Sequence, residues 1–302
     1  MILQYKKLNN IIENTLKKKS STIRRINQGF YGYIFLVGEK SKFIAKVYKK
    51  EGYLDYERAQ LEELKKYALV HTPEILGISY KKDNGFFDVL FMEYIEGVNC
   101  TEISITDSYE KNRLGNEIIE NLLSIHQVSN PNGFGDFVLN KYDNDWAQCY
   151  KRCVDKYYGD LIGRNRFRIS SNNLKIAEML YNSFDDVFNN NKVEKNSLIH
   201  GDYNLWNLLV DPNTHRLIGM IDPMGCSYAD RELDLFQLEN ANGNDFDLLY
   251  RYSKQVQLSE NFQLKNAYYH FWDDIKHYVN TGYCDNKLFR LYGKKALDYL
   301  NL

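Results

Sequence analysis

The segment His200-Gly201-Asp202-Tyr203-Asn204-Leu205-Trp206-Asn207 puts an aspartate and an asparagine five residues apart, just before the apolar triplet Leu208-Leu209-Val210. A carboxylate there can orient an attacking hydroxyl or accept its proton, and an amide oxygen is a donor for a hard cation such as Mg²⁺. The His-Gly-Asp string alone is equally compatible with ordinary loop chemistry. Fifteen residues beyond Asn207, Asp222 follows a second apolar run, Ile218 to Ile221. An acid at a strand end beside an Asp/Asn pair is an arrangement that holds Mg²⁺ against phosphate oxygens, and a buried acid without a partner would be costly. Upstream, Lys46 sits inside the apolar run Ile44-Ala45-Lys46-Val47. It faces either solvent at a sheet edge or a negative ligand. Glu57, eleven residues on, is placed to pair with it and hold the ammonium against phosphates. Gly29 and Gly32, in Asn27-Gln28-Gly29-Phe30-Tyr31-Gly32, let the backbone cover phosphates or simply turn.

These residues need elements to hold them. A stripe of Ile2, Leu3, Leu8, Ile11, Ile12 and Leu16 predicts an opening helix. Tyr33 to Val37 and Phe43 to Tyr48 read as strands around a turn, and Asp55 to Leu69 as a helix ended by His71-Thr72-Pro73. Ile75 to Tyr80 and Phe86 to Tyr94 read as two more strands. The first 97 residues are therefore expected to form a β-rich lobe with one helix, and residues 98–302 a larger, mostly helical lobe. In the second lobe, helices are predicted around Leu114 to His126, Asp145 to Tyr158, Asn173 to Phe188, and from Arg231 onward. Leu217 to Ile221 is a further short strand.

The 302 residues suffice for two such lobes sharing a cleft, and 44% hydrophobic with 26% charged residues is a globular balance. A formal net charge of −1 argues against nucleic acid as partner. Cys100, Cys149, Cys153, Cys226 and Cys284 form no CxxC pair and read as free thiols of a reducing compartment. Lysines through Met1 to Ser20, including Lys17-Lys18-Lys19, interrupt any signal-peptide core, and no apolar run reaches membrane-spanning length. A cytoplasmic monomer or homodimer that touches neither membrane nor nucleic acid is expected.

Taken in order, the glycine-containing loop, strand Lys46, helix Glu57, the segment Met92-Glu93-Tyr94-Ile95-Glu96-Gly97, His200-Gly201-Asp202 with Asn207, and Ile221-Asp222-Pro223 resemble the protein-kinase-like fold. More narrowly they resemble the superfamily of aminoglycoside phosphotransferases, choline kinases and fructosamine kinases. Ser124-Ile125-His126 and Asp230-Arg231-Glu232-Leu233-Asp234-Leu235 look like further elements of it, although Ala229 stands where that family has glycine. The resemblance implies an α+β, two-lobed fold. It implies a kinase that transfers the γ-phosphate of ATP or GTP to a hydroxyl of a small molecule. It makes Asp202 the catalytic base and Asn207 and Asp222 the Mg²⁺ ligands. Lys46, Glu57 and Gly29 would attend the phosphates. The backbone of Glu93 and Ile95 would meet the base, which would lie among Ile26, Ala45 and Met92. His200 and Asp234 would support the loop. Ile221-Asp222-Pro223 is similar to fructosamine kinases, but Tyr203 follows the tripeptide where those have tryptophan, so the subgroup stays open.

The stretch from Asp222 to Asp234 is too short for a protein-kinase activation segment and has no Ala-Pro-Glu, which disfavours a peptide acceptor. Acids outnumber bases in the C-terminal third, Glu232 among them, and Asp273 and Asp274 directly follow Trp272. An amine-bearing acceptor such as an aminoglycoside would suit an acidic pocket, with Trp272 stacking on it. A solvated acidic helix face over an aromatic core explains the same residues. Fructosamine- or choline-type metabolite kinases are the alternatives, and a catalytically silent nucleotide-binding module is the alternative of another class.

Overall fold

The computed structural model describes residues 2–18, 22–29, 31–163, 169–188 and 192–302. Met1, Lys19, Ser20 and Phe30, named above, lie outside the described residues. In chain order the first elements are α1 (Ile2–Leu16), β1 (Ile23–Gln28), β2 (Gly32–Val37), β3 (Phe43–Tyr48), α2 (Tyr53–Leu64), β4 (Ile75–Ser79), a single turn α3 (Lys81–Asn84), β5 (Asp88–Glu93) and β6 (Val98–Asn99). Next come α4 (Ser108–His126), β7 (Phe134–Asp136), β8 (Lys141–Asp143), α5 (Trp146–Gly163), α6 (Ser171–Asn182), α7 (Phe184–Phe188) and β9 (Ser197–Ile199). The chain continues through β10 (Leu208–Val210), β11 (Leu217–Met220) and β12 (Ser227–Ala229), then α8 (Leu248–Gln255), α9 (Phe262–Thr281) and α10 (Asn286–Tyr299). Two units result, one of residues 1–104 with 206–224, the other of 105–205 with 225–302.

The first unit is built on an antiparallel sheet in the order β1-β2-β3-β5-β4. Strand alternation sorts its side chains. Phe43, Ala45, Val47, Val89 and Phe91 face one way, into a core closed by Leu8, Ile11 and Ile12 of α1. Ile44, Tyr48, Leu90 and Met92 face the other way, with Leu54 of α2. Lys46 belongs by parity to this second face. Leu54, Glu57, Leu61 and Leu64 make the buried stripe of α2, so Glu57 occupies a core position of its helix. The helix ends at Leu64, five residues before the predicted end. The N–H groups of Lys66 and Tyr67 fold back to the carbonyls of Glu63 and Leu64, so tighter turns rather than Pro73 terminate it. The same unit holds a small sheet, β11-β10-β6, in which a hairpin from Leu208 to Met220 pairs with Val98 and Asn99.

The second unit packs α5, α6, α9 and α10 around an aromatic-rich core that includes Trp146, Tyr150, Tyr268, Tyr269, Phe271 and Trp272. A four-stranded sheet, β8-β7-β12-β9, lies in the same unit. Residues 231–239, expected in the helical region, form a 3₁₀ segment capped by the Asp230 carboxylate, which accepts from the Glu232 N–H at 3.0 Å. This segment delivers two acids to one buried lysine. Lys265 Nζ meets Asp230 at 2.5 Å and Glu232 at 2.8 Å, and its side chain is 2% exposed. Tyr269 donates to Asp230 and accepts from the Trp146 indole N–H, at 2.8 and 2.7 Å. Ser259 donates its N–H and hydroxyl to Glu232. Two buried carboxylates without their cation are strongly destabilising. Lys265→Met is expected to cost about 3–5 kcal/mol, read as a fall in the urea midpoint. An unchanged midpoint would mean that this cluster does not hold the unit together.

Candidate active site

Strand β3 and helix α2 bring Lys46 and Glu57 together on the α2 face of the sheet. Lys46 Nζ contacts both Glu57 carboxylate oxygens, at 2.8 and 2.6 Å, and Tyr48 donates its hydroxyl to Glu57 at 2.8 Å. The same ammonium reaches Asp222 Oδ1 at 2.5 Å, across 176 positions of sequence. Burial pulls the Lys46 pKa down, but Asp222 and Glu57 outweigh it and hold the ammonium above the ordinary lysine value. Burial, reinforced by Glu57, raises Tyr48 well above its usual value, so it stays a neutral donor.

The spacing of Asn207 and Asp222 has a simple origin. Leu208 pairs with Met220 in the β10–β11 hairpin, and the Ile221 N–H donates to the Asn207 carbonyl at 2.9 Å. Asn207 therefore precedes one strand and Asp222 follows the other, at the open end of one hairpin. At the far end the Asp211 carboxylate accepts from the N–H groups of Asn213 and Thr214 and fixes the turn. Asp222 takes φ +57°, a left-handed conformation in which aspartate is among the better tolerated residues. Its side chain is 40% exposed, whereas Asn207 is buried. A carboxylate and an amide oxygen at one hairpin end form an oxygen donor set of the kind a Mg²⁺ ion takes.

The segment Met92 to Gly97 is tied to this hairpin through a residue that the motifs did not flag. His71 donates its N–H to the Ile218 carbonyl and accepts from the Met220 N–H, at 3.1 and 2.9 Å. Its Nε2 lies 2.6 Å from the Glu93 carboxylate, which also accepts from the Glu74 N–H. Burial pushes Glu93 up, yet His71 and the Glu74 N–H together hold it below the usual carboxylate value. Met92 shares the Lys46 face, as the expected base contact requires. Ala45 does not: it points to the opposite face, under α1, and Ile44 takes the position beside Met92. Ile26 is 43% exposed at a bulge of β1. Gly29, before β2, accepts from Lys49 Nζ at its carbonyl, and Tyr31 stacks on Tyr53.

In the second unit, Asp202 sits on a loop anchored by Asp234. The Asp234 carboxylate accepts from the N–H groups of His200 and Gly201, at 2.8 and 2.7 Å. Gly201 has φ +80°, which explains a glycine in the middle of the tripeptide. His126 at the end of α4 reaches Asp234 with Nε2 and Tyr252 with Nδ1. Asn121 donates to the hydroxyl of Tyr203, and that hydroxyl donates to the Ile118 carbonyl. Asp202 itself accepts from Asn204 Nδ2 at 2.7 Å.

The expected acceptor residues lie differently. Trp272 is 1% exposed among Tyr158, Tyr268 and Phe271, so it presents no face for stacking. Glu232 is spent on Lys265 and Ser259. The side chain of Asp273 is 12% exposed and ion-paired to Lys276 and His277, which hold it well below the ordinary carboxylate range despite its burial. Asp274 is pushed up to about 7, chiefly by burial and then by Asp273. Glu232 and Asp273, two of the acids expected to face the acceptor, are thus each paired to cations within the unit.

With this geometry in hand, comparison with known proteins places the chain. The profile of the phosphotransferase enzyme family matches residues 22–262, and the chain belongs to that family. It is 29% identical over 238 residues to uncharacterized protein YcbJ of Escherichia coli (strain K12), covering 76% of each chain. Among solved structures, a candidate fructosamine-3-kinase from Haemophilus somnus 129PT superposes with a TM-score of 0.74 at 15% identity, over 98% of this chain and 97% of that one. A thermostable mutant of aminoglycoside phosphotransferase APH(4)-Ia, in ternary complex with AMP-PNP and hygromycin B, gives 0.71 at 14% identity over 97% of both chains. The fold is the two-lobed kinase-like phosphotransferase fold. Among the described residues no helix is long and apolar enough to cross a membrane.

The raised Asp274 carboxyl has a signed consequence. The folded state binds its proton more tightly than the unfolded state does, so stability is fullest below the unfolded value, near 3.8, and falls as pH rises toward 7. Asp274→Asn removes that loss. The gain in Tm of the variant over wild type is expected to be larger at pH 8 than at pH 5. A gain independent of pH would show that Asp274 titrates normally.

Proposed function

We propose that this protein is a kinase that moves the γ-phosphate of ATP or GTP to a hydroxyl of a small polar molecule. The observation that carries this reading is the buried ammonium of Lys46, which Glu57 and Asp222 share. That contact joins the phosphate-facing strand to the hairpin bearing the two oxygen donors. The fold relative bound to AMP-PNP and hygromycin B supports a nucleotide donor and a small-molecule acceptor.

In this reading Lys46 balances charge on the donor phosphates, and Glu57, itself held by Tyr48, fixes the ammonium. Asn207 and Asp222 would hold Mg²⁺, which supplies charge neutralisation to the phosphate oxygens when bound. The Glu93 N–H already donates to the Glu74 carbonyl. Base recognition by the segment therefore falls to the Glu93 carbonyl and the Ile95 N–H, with Ile44 and Met92 as apolar contacts. Asp202 orients the acceptor hydroxyl and takes its proton. The hydroxyl oxygen bonds to the γ-phosphorus, the bond from that phosphorus to the β–γ bridging oxygen breaks, and the nucleoside diphosphate leaves. His126, Asp234 and Tyr252 keep the Asp202 loop in place rather than touching reactants.

Two substitutions separate these roles. Asp202→Asn removes the base and is expected to lower kcat by roughly 10²-fold or more, with nucleotide Kd nearly unchanged. Asp222→Asn is expected to abolish turnover and weaken Mg²⁺-dependent binding of a nonhydrolysable nucleotide. Calorimetry and coupled nucleotide consumption on the same preparations read both. Normal kcat in Asp202→Asn, or unaltered metal-dependent binding in Asp222→Asn, would remove that residue from its assigned place.

A further inference from the structure

Tyr48 stands two residues after Lys46 on β3, so both side chains leave the strand on the α2 face. No motif marks it. Among the described residues, these two supply the donors to Glu57. Lys46 Nζ reaches both carboxylate oxygens, at 2.8 and 2.6 Å, and the Tyr48 hydroxyl donates to Oε2 at 2.8 Å. All three side chains are buried, with Glu57 8% and Tyr48 5% exposed. The Tyr48 ring belongs to the apolar cluster of Leu54, Leu90 and Met92, which fixes where its hydroxyl ends. The charges that bear on this carboxylate are Lys46 from β3 and Asp222 from the end of the β10–β11 hairpin. Asp88, opposite Tyr48 on β5, turns instead to the Lys81 N–H at 2.7 Å. Asp55, Arg58 and Glu62 of α2 pair with one another on its more exposed side.

Burial pushes the Glu57 carboxyl above its ordinary value, Lys46 pulls it down and Asp222 pushes it up again. The hydrogen bonds from Lys46 and Tyr48 oppose the rise without cancelling it. A proton on Glu57 would turn one accepting oxygen into a donor, and that oxygen could no longer receive Lys46 or Tyr48. Tyr48 opposes this without competing for phosphates. Burial, and then Glu57, hold its hydroxyl well above the usual value, so it stays neutral and brings no second cation beside Lys46. Resting on the phosphotransfer reading above, we propose that Tyr48 is a positioning residue for the nucleotide: its hydroxyl keeps Glu57 ionised and turned to Lys46, and so sets how far the pH can fall before Lys46 leaves its place against the donor phosphates. The sign follows directly. Without the hydroxyl, Glu57 binds its proton more tightly, and the neutral form appears at higher pH.

Tyr48→Phe keeps the ring in its cluster and removes only the donor. In the full chain the Glu57 carboxyl resonance, identified by its loss in Glu57→Gln, is titrated by carbon NMR in wild type and in Tyr48→Phe. Its midpoint is expected to rise by roughly one pH unit in the variant, the scale of a hydrogen bond to a charged group. Calorimetry on the same samples gives the Kd of Mg²⁺-AMP-PNP across the same pH range. At alkaline pH the variant is expected to bind within a few-fold of wild type, and on acidification to lose affinity roughly one pH unit earlier. Should Tyr48→Phe fail to fold, 3-fluorotyrosine at position 48 carries the test. Fluorine makes the hydroxyl a stronger donor, so the midpoint and the loss of affinity are both expected to move down in pH. An unmoved midpoint overturns the proposal, and so does a moved midpoint with an unmoved affinity profile. A loss of affinity equal at every pH, the mark of a merely structural role, overturns it too. In each of these cases wild type still binds Mg²⁺-AMP-PNP and only the Tyr48 proposal falls. If wild type does not bind it at any pH, the phosphotransfer reading falls and this proposal with it.

Discussion

A buried ammonium is tolerable only while its carboxylates are in place, and in the first unit that condition falls on Lys46. Its cost of desolvation is met by Glu57 from a helix and Asp222 from a distant hairpin. Much of the unit can be understood as the means of meeting it. Sheet parity turns Lys46 to the α2 face, the apolar stripe of α2 carries Glu57 into the core, and Tyr48 occupies the second Glu57 oxygen. His71 ties β11 to the end of β5 through backbone and side chain alike, so the residue pairing with Lys46 is kept in register with the segment assigned to the base.

The second unit solves a different problem by similar means. In the proposed reaction the carboxylate that receives a proton is not the one that anchors its loop. Asp234 takes the backbone N–H groups of the tripeptide and is itself backed by His126 and Tyr252. Asp202 accepts from the amide of Asn204, a neutral donor that orients its carboxylate.

Residues whose chemistry demands particular types at particular spacings were legible in the sequence: Lys46, Glu57 and Asp222 come into contact, and Asn207 stands at the same hairpin end as Asp222. Four strands of the larger sheet, β2 to β5, and helices α1, α2, α4 and α5 were legible from periodicity, whereas β1, with Arg24-Arg25 and Asn27-Gln28, offered no apolar alternation. What escaped has physical reasons. Ala45 was placed beside the base although alternation puts it on the face opposite Lys46, and counting by two from the lysine would have named Ile44. Strands β7, β8 and β12 have three residues each, too few for alternation to register. Trp272 was misread because α9 is buried around most of its circumference, so neighbouring acids gave no sign of which aromatic rings face solvent. Ion pairing limits composition in a related way: a count of acids and bases includes Lys265 and Lys276 but does not say that they pair with Asp230, Glu232 and Asp273.

The hairpin of β10 and β11 belongs to the first unit although a hundred residues of the second precede it. During synthesis the ribosome releases the five-stranded sheet early, with Lys46 and Glu57 in it, long before Asp222 exists. For that interval the Lys46 ammonium has Glu57 but not Asp222, and β6 lacks its neighbour. Its last piece arrives only after a long excursion whose closure carries an entropic cost. Order of appearance along the chain is thus not order of completion: the unit that begins first cannot finish until residue 224 has emerged.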